Sequence, residues 1–346
     1  MFSKRAWGSL VLAATLLVAA GCGSNAKSSN DSNASTNTAD GGKTYKIGIS
    51  QIVEHPSLDA TRAGFIAALK DAGLVEGTNL KIDYNNAQGD QTNNLSIAQK
   101  LAGDKDDLIV AIATPSAQAV VQQVKNTPVL FAAVTDPVAA DIVSNLDQPG
   151  GNVSGASDTN PAAIAQLMKF ISTDFPNVKK LGLIINEGET NAVVMADIAK
   201  KELEQYGIEL VKAPVTNTSE VKQAADSLVG RVDALYVTLD NMVVNGFDAI
   251  VQTANANHLP LFSSDRDTVE HGSFATVGFK YYDHGYQVGQ MAVDILKNGK
   301  QPGDMKITVP DKLDLILNTT AAEAQGITVT DAMKAQVKDQ ENNIIK

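Results

Sequence analysis

From Tyr45 onward the chain alternates short β-rich runs with longer stretches of helical period, and this order constrains the fold more than any single residue. A strand at 46–50 precedes a helix at 58–72 that carries Phe65, Ile66 and Leu69 on one face. A strand at 80–84 precedes a helix at 91–101, one at 108–113 precedes a helix at 116–124, and a strand at 129–134 closes the series. Strands separated by helices predict a parallel sheet covered by those helices, because parallel neighbours need a long crossover connection.

The turn-rich stretch Gln148-Pro149-Gly150-Gly151-Asn152-Val153-Ser154-Gly155 interrupts this pattern, and a second series follows. Its strands are expected at 181–185, 208–211, 234–238 and 260–262, with helices at 192–206, 220–229 and 247–257. The last third adds a strand at 274–278, a helix at 282–298, a Gly/Pro link at 299–303, a strand at 313–317 and a helical tail. A chain that leaves and returns in this way crosses between lobes more than once. The expected class is therefore α/β, with two doubly wound parallel-sheet lobes joined by a multi-strand hinge. Residues 44–154 plus 281–302 are assigned to the first lobe, 155–280 plus 303–335 to the second, and 336–346 to a tail.

The residues before this region read differently. Lys4 and Arg5 precede an apolar run from 10 to 20 that ends at Gly21-Cys22, the layout of a secretory signal and too short to span a membrane. The small residues before Cys22 resemble a bacterial lipobox, although Ala19 stands where such boxes usually carry leucine. Residues 1–21 are thus expected to be a signal peptide, and 22–43 a polar tether with a reach of roughly 25 Å that begins at a lipidated Cys22. Ordinary cleavage leaving a free thiol is the alternative. One cysteine builds neither a disulfide framework nor a zinc cluster.

The net charge is −11, and losing Lys4 and Arg5 with the signal takes it to −13. Such a surface disfavours nucleic acid and anionic lipid, and it is also ordinary for a secreted soluble protein.

Ligands of open parallel sheets bind beyond the carboxyl ends of the strands. In the first series those ends carry Glu54 and His55, then Thr114, Ser116 and Ala117, then Thr135 and Asp136; in the second they carry Asn186, Glu189 and Asn191, then Asp240 and Asn241, then Asp265. Thr114-Pro115 suits a capped helix start that leaves the N–H groups of Ser116 and Ala117 free for a carboxylate or phosphate; an ordinary helix start has the same residues. Asp136, Glu189, Asp240 and Asp265 suit an ammonium group, and each is equally a helix cap or turn former.

Catalytic signatures are weaker. The four histidines have no metal-ligand spacing, Gly151-Asn152-Val153-Ser154-Gly155 has its serine one place late for a nucleophile elbow, and no phosphate-binding glycine loop follows the first strand. Neither a metal nor a cofactor is expected. A cleft enzyme using Glu54 and His55 as acid and base is the rival reading from another class.

In order along the chain, Gln51-Ile52-Val53-Glu54-His55-Pro56, Ala113-Thr114-Pro115-Ser116-Ala117-Gln118-Ala119, Thr135-Asp136-Pro137-Val138, Pro149 to Gly155, Asp240-Asn241 and Ala275-Thr276-Val277-Gly278-Phe279-Lys280-Tyr281-Tyr282 resemble the substrate-binding proteins of tryptophan/tyrosine-type ABC transporters. The resemblance implies a type I periplasmic-binding-protein fold. It also implies that an amino acid, often tryptophan, tyrosine or phenylalanine, binds between the lobes of a monomer and is delivered to a permease and its ATPase. The protein would be exported and held on the outer face of the cytoplasmic membrane by its lipid alone. By the same resemblance, Thr114, Ser116 and Ala117 look like a carboxylate cradle and Asp240 with Asn241 part of an ammonium grip. Glu54 and His55 would approach the ligand from the first lobe, and Glu189 and Asn191 from the second. An additional acid at Glu187 departs from the usual pattern, and another small solute or a sensor ligand is the alternative.

Overall fold

The computed structural model describes residues 43–346; the expected signal, the tether and Cys22 lie outside them. The first series forms β1 (Tyr45–Gln51), α1 (Pro56–Asp71), β2 (Leu80–Asn86), α2 (Gln91–Gly103), β3 (Leu108–Ile112), α3 (Thr114–Gln123), β4 (Val129–Val134) and β5 (Val153–Ser157). The strands make one sheet in the order β2-β1-β3-β4-β5, all parallel.

Both faces of this sheet are covered, so its inner strands are apolar without alternation. In β3, Leu108, Val110 and Ile112 join Ile47, Phe65 and Leu69 on one side, while Ile109 and Ala111 join Leu101, Val120 and Phe131 on the other. The first of these faces also receives α10 (Tyr281–Asn298), which returns from the second lobe to pack on α1. The two helices meet backbone to backbone. A Cβ at Gly285 would stand 1.8 Å from Thr61 O, and one at Gly64 would stand 1.9 Å from Tyr282 O, so neither position accommodates a side chain.

The second lobe comprises α4 (Pro161–Asp174), β6 (Lys180–Ile185), α5 (Thr190–Glu204), β7 (Glu209–Pro214), α6 (Val221–Leu228), β8 (Ala234–Val237), α7 (Asn241–Asn245), α8 (Phe247–Asn257), β9 (Leu261–Ser263), α9 (Arg266–Glu270) and β10 (Ala275–Gly278). After α10 the chain adds β11 (Asp314–Asn318), α11 (Thr319–Ala324), α12 (Asp331–Ala335), α13 (Gln340–Asn343) and β12 (Ile344–Ile345). The sheet runs β12-β11-β10-β9-β8-β6-β7, with β11 antiparallel to β10 and the other pairs parallel. The chain passes between the sheets at 158–160, again at 279–280, and again at 309–313. The α/β class with two wound, mainly parallel sheets is as expected from the alternation.

Three boundaries differ from expectation. Gly155 to Ser157 lie inside β5 and pair with β4, so the first lobe extends beyond 154. Residues 303–308 stay with it as well: Gly150 N donates to Gly303 O at 3.1 Å, Ser154 Oγ donates to Met305 O at 2.7 Å, and Ser157 N donates to Thr308 O at 2.8 Å. The expected tail is part of the second sheet through β12, held where Asp314 accepts from Lys338 N and Asp339 N at 2.9 Å each. Helix α4 was not anticipated, although Asn160 caps it by accepting from Ala162 N at 3.0 Å and Pro161 follows at its first turn.

Candidate binding site between the lobes

Each sheet reverses its winding at one place, between β1 and β3 in the first and between β6 and β8 in the second, and the loops beyond those strands diverge to leave a crevice. The loop after β1 is fixed from within. Gln51 Nε2 donates to Val53 O and Asp59 Oδ1, both at 2.9 Å, while Arg62 Nη1 donates to Gln51 Oε1 at 2.7 Å. Pro56 then starts α1, with His55 extended in front of it.

This geometry turns His55 inward. Its Nε2 faces Asn241 Oδ1 of the second lobe at 3.4 Å, and its Nδ1 has no partner among the described residues. Burial lowers its pKa to about 4, so the ring is neutral near pH 7. Next along α1, Ser57 Oγ donates to Asp265 Oδ1 across the lobes at 3.1 Å.

Between the lobes stands Asp158, immediately after β5. Its Oδ2 accepts from the Tyr281 hydroxyl at 3.0 Å, its Oδ1 from Thr159 Oγ1 at 3.1 Å, and its own N–H donates to Val134 O at 3.1 Å. Burial pushes the Asp158 carboxyl up to about 6, against the hydrogen bonds from Tyr281 and Thr159 that favour the ion. Tyr281 is itself raised well above its usual value, first by burial and then by the Asp158 charge, which keeps it a donor.

Around these groups lies a narrow cavity. Its walls include His55, Ser57 and Thr135 from the first lobe, Asp158 and Tyr281 at the hinge, and Asn191, Asn241 and Asp265 from the second lobe. Past Asp158 and Leu239 it adjoins a narrow apolar chamber walled by Ile164 and Leu167 of α4, Met195 of α5, Val277, Phe279 and Leu313, with Tyr236 and Ser264 also in its wall. Among the described residues, two carboxylates and no Lys or Arg line the polar cavity. It therefore favours a cationic group, with apolar walls beside it that favour an apolar one.

Of the residues singled out in the sequence, His55, Thr135, Asn191, Asn241 and Asp265 line this cavity. The others have different surroundings. Glu54 is exposed and accepts from the Tyr84 hydroxyl at 2.9 Å, beside Arg62, which stacks over the Tyr84 ring. Asp136 accepts from Val138 N and Ala139 N and forms a turn.

The expected cradle on α3 is not presented as anticipated. Ala113, at φ 79°, precedes the helix in place of Thr114, and Ala117 N donates to Ala113 O at 3.0 Å, so that N–H is not free. Ser116 Oγ turns to Asn94 Oδ1 at 3.3 Å, and Thr114 Oγ1 accepts from Thr135 N at 3.4 Å. Thr114 thus reaches the cavity only through Thr135.

Asp240 is likewise committed elsewhere. Its Oδ1 caps α7 by accepting from Val243 N at 3.1 Å, and its Oδ2 accepts from Asn186 N at 2.5 Å. Burial, and then the Glu189 charge, raise its carboxyl well above the usual range. Glu189 Oε2 accepts from Asn191 Nδ2 at 2.9 Å and Asn241 Nδ2 at 2.6 Å, and its Oε1 from Met242 N at 3.1 Å. Asp240 and Glu189 hold the two loops that present Asn191 and Asn241, and neither lines the cavity. The cap alternative describes Asp240 better than an ammonium grip does.

The residues the sequence reading did not single out are Ser57, Asp158, Tyr281 and the α4 side of the chamber. Asp158 had a visible signal, standing directly after the small-residue stretch 153–157, but that stretch reads as turn rather than strand.

A family model described as ABC transporter substrate binding protein matches residues 46–340. A tyrosine-binding protein of Clostridioides difficile (strain R20291) is 42% identical over 318 residues, covering 91% of this chain and 91% of that protein. A solved domain from Streptococcus pneumonia in complex with L-Trp has 33% identity and a TM-score of 0.81, covering 86% of this chain and 99% of that one. A ligand-free, open substrate-binding protein with adhesive properties from Clostridium difficile has 40% identity but a TM-score of 0.64, covering 87% of this chain and 98% of that one. The lower score against the open structure, despite its higher identity, agrees with the contacts seen across the lobes here.

Proposed function

We infer, from the fact that this chain belongs to the ABC transporter substrate-binding protein family, that its interlobe cavity takes an aromatic amino acid and that its closed form delivers this ligand to a membrane permease served by an ATPase. The protein is the solute-binding, non-enzymatic component of an ABC transporter, and it is extracytoplasmic.

One observation carries the ligand reading: a buried carboxylate, Asp158, stands where a polar cavity meets an apolar chamber. The amino acid ammonium sits beside Asp158, with Asp265 nearby, and its carboxylate turns to the Thr135 side. The side chain enters the chamber among Ile164, Leu167, Met195 and Phe279. The names of the two bound or binding relatives, for L-Trp and tyrosine, point to the same class of ligand.

Entry requires open lobes, and closure forms the contacts from Ser57 to Asp265 and from His55 to Asn241. A lipid on Cys22 and the polar residues after it would keep the domain near the permease. Mass spectrometry of ligand released from protein purified without denaturation is the direct test. An aromatic amino acid at stoichiometric amount is expected, and a sugar or a non-aromatic amino acid in its place contradicts the reading. Intrinsic fluorescence adds a check, because Trp7 is the sole tryptophan of the chain and lies in the expected signal.

A further inference from the structure

Tyr236 is fully buried on β8, and its hydroxyl stands 2.7 Å from Ser264 Oγ, just beyond β9. Both residues line the chamber whose other walls include Ile164, Leu167, Val277 and Phe279. A pair of hydroxyls therefore faces a space that is otherwise largely apolar. Resting on the reading of this cavity as an aromatic amino acid site, we propose that Tyr236 and Ser264 recognise a phenolic hydroxyl and make the protein selective for tyrosine-like ligands.

The chemistry follows from counting hydrogens. Each hydroxyl has one proton to donate and two lone pairs, and their mutual bond uses one proton and one lone pair. One O–H and several lone pairs remain, so the pair asks for a partner that both accepts and donates. A phenol does both. An indole N–H only donates, and a phenyl ring does neither, leaving the pair desolvated against its edge. Burial pushes the Tyr236 phenol up to about 12, so it keeps its proton near pH 7. Asp158 lines the same chamber at its junction with the polar cavity, which supplies the ammonium partner for a ligand whose ring reaches the pair.

Sites built to hydrogen-bond a hydroxyl reject analogues lacking it more strongly than apolar pockets reject a methylene change. Calorimetric titration of the wild-type protein should accordingly give L-tyrosine at least about tenfold tighter than L-phenylalanine, with L-tryptophan also weaker. Ser264→Ala should bring tyrosine and phenylalanine within about threefold by weakening tyrosine alone. Phenylalanine or tryptophan binding as tightly as tyrosine in the wild type overturns the proposal, whatever the variant does. So does a variant that keeps the preference, or one that weakens all three ligands equally, since the pair would then only satisfy Tyr236. Binding of none of the three would instead remove the aromatic amino acid reading, and this proposal with it.

Discussion

The hydroxyl of Ser57, at the start of α1 in the first lobe, donates to Asp265 Oδ1 of the second lobe at 3.1 Å, while Asp265 also caps α9 by accepting from Thr268 N at 2.8 Å. One carboxylate thus ends a helix in its own lobe and receives a hydrogen bond from the other. Parting of the lobes would break this bond and return the Ser57 hydroxyl to water.

Ser57→Ala removes that contact and leaves the Asp265 cap of α9 intact. Ligand affinity should fall by about three- to tenfold, the range of one net hydrogen bond. Small-angle scattering of the ligand-free protein should show a larger radius of gyration than wild type. Unchanged affinity and scattering would mean that this bond does not contribute to closure.

Glu189 receives hydrogen bonds from the side chains of Asn191 and Asn241 and from the backbone of Asn241 and Met242. Glu189→Ala leaves these buried donors without their acceptor and should lower the unfolding free energy by about 2–4 kcal/mol, measurable by urea denaturation. The frame role of Asp240 predicts the same kind of loss for Asp240→Ala. A variant with wild-type stability and weakened ligand binding would return Asp240 to direct contact.

Ligand binding should depend on the proton of Asp158. Burial pushes its carboxyl up to about 6, and an ammonium group beside it would lower that value in the complex. Below about pH 6 binding therefore displaces a proton, and affinity should fall up to about tenfold per pH unit; above about pH 7 it should be flat. His55, lowered to about 4, stays neutral through this window. Calorimetry near pH 5 in buffers of different ionisation enthalpy reads the released proton, and a pH-independent affinity from 5 to 8 would exclude the coupling.

His284 supplies a separate pH effect on stability. Its neutral Nε2 accepts from Ala133 N at 3.0 Å, where Ala133 has a positive φ of 55°, and burial lowers the imidazole to about 4. A histidine lowered in the folded state contributes stability that is present above its unfolded value, near 6.5, and lost as pH falls toward 4. Moving from about pH 7 to about pH 4.5, wild type should lose about 2.5 kcal/mol relative to His284→Gln. Urea denaturation of both proteins at the two pH values measures the difference, and a constant difference contradicts it.

Much of the architecture was legible because β3 and β4 are unbroken apolar runs flanked by helical periods. The boundaries were less so. β5 reads Val-Ser-Gly-Ala-Ser, with small residues because its neighbours approach closely: a Cβ on Gly155 would stand 2.2 Å from Phe131 O. A strand without bulky side chains resembles a turn in sequence, and both β5 and the Asp158 that follows it were passed over for that reason. Strand ends located the polar rim and brought His55, Thr135, Asn191, Asn241 and Asp265 to one cavity. What strand ends do not reveal is which carboxylates are already occupied. Asp240 and Asp265 both cap helices, yet only Asp265 lines the cavity, and that distinction depends on contacts between residues distant in the chain.

The proposed contact between Asp158 and the ammonium of an aromatic amino acid is tested most directly by removing the Asp158 charge. Asp158→Asn preserves the shape of the side chain and an acceptor for Tyr281 while removing the charge. Titrated with L-tyrosine at about pH 7.5, wild type should bind one equivalent, and the variant, folded by circular dichroism, should bind at least about thirtyfold more weakly, as expected for loss of a charged hydrogen bond. A variant that binds as tightly as wild type would remove Asp158 from the ammonium site.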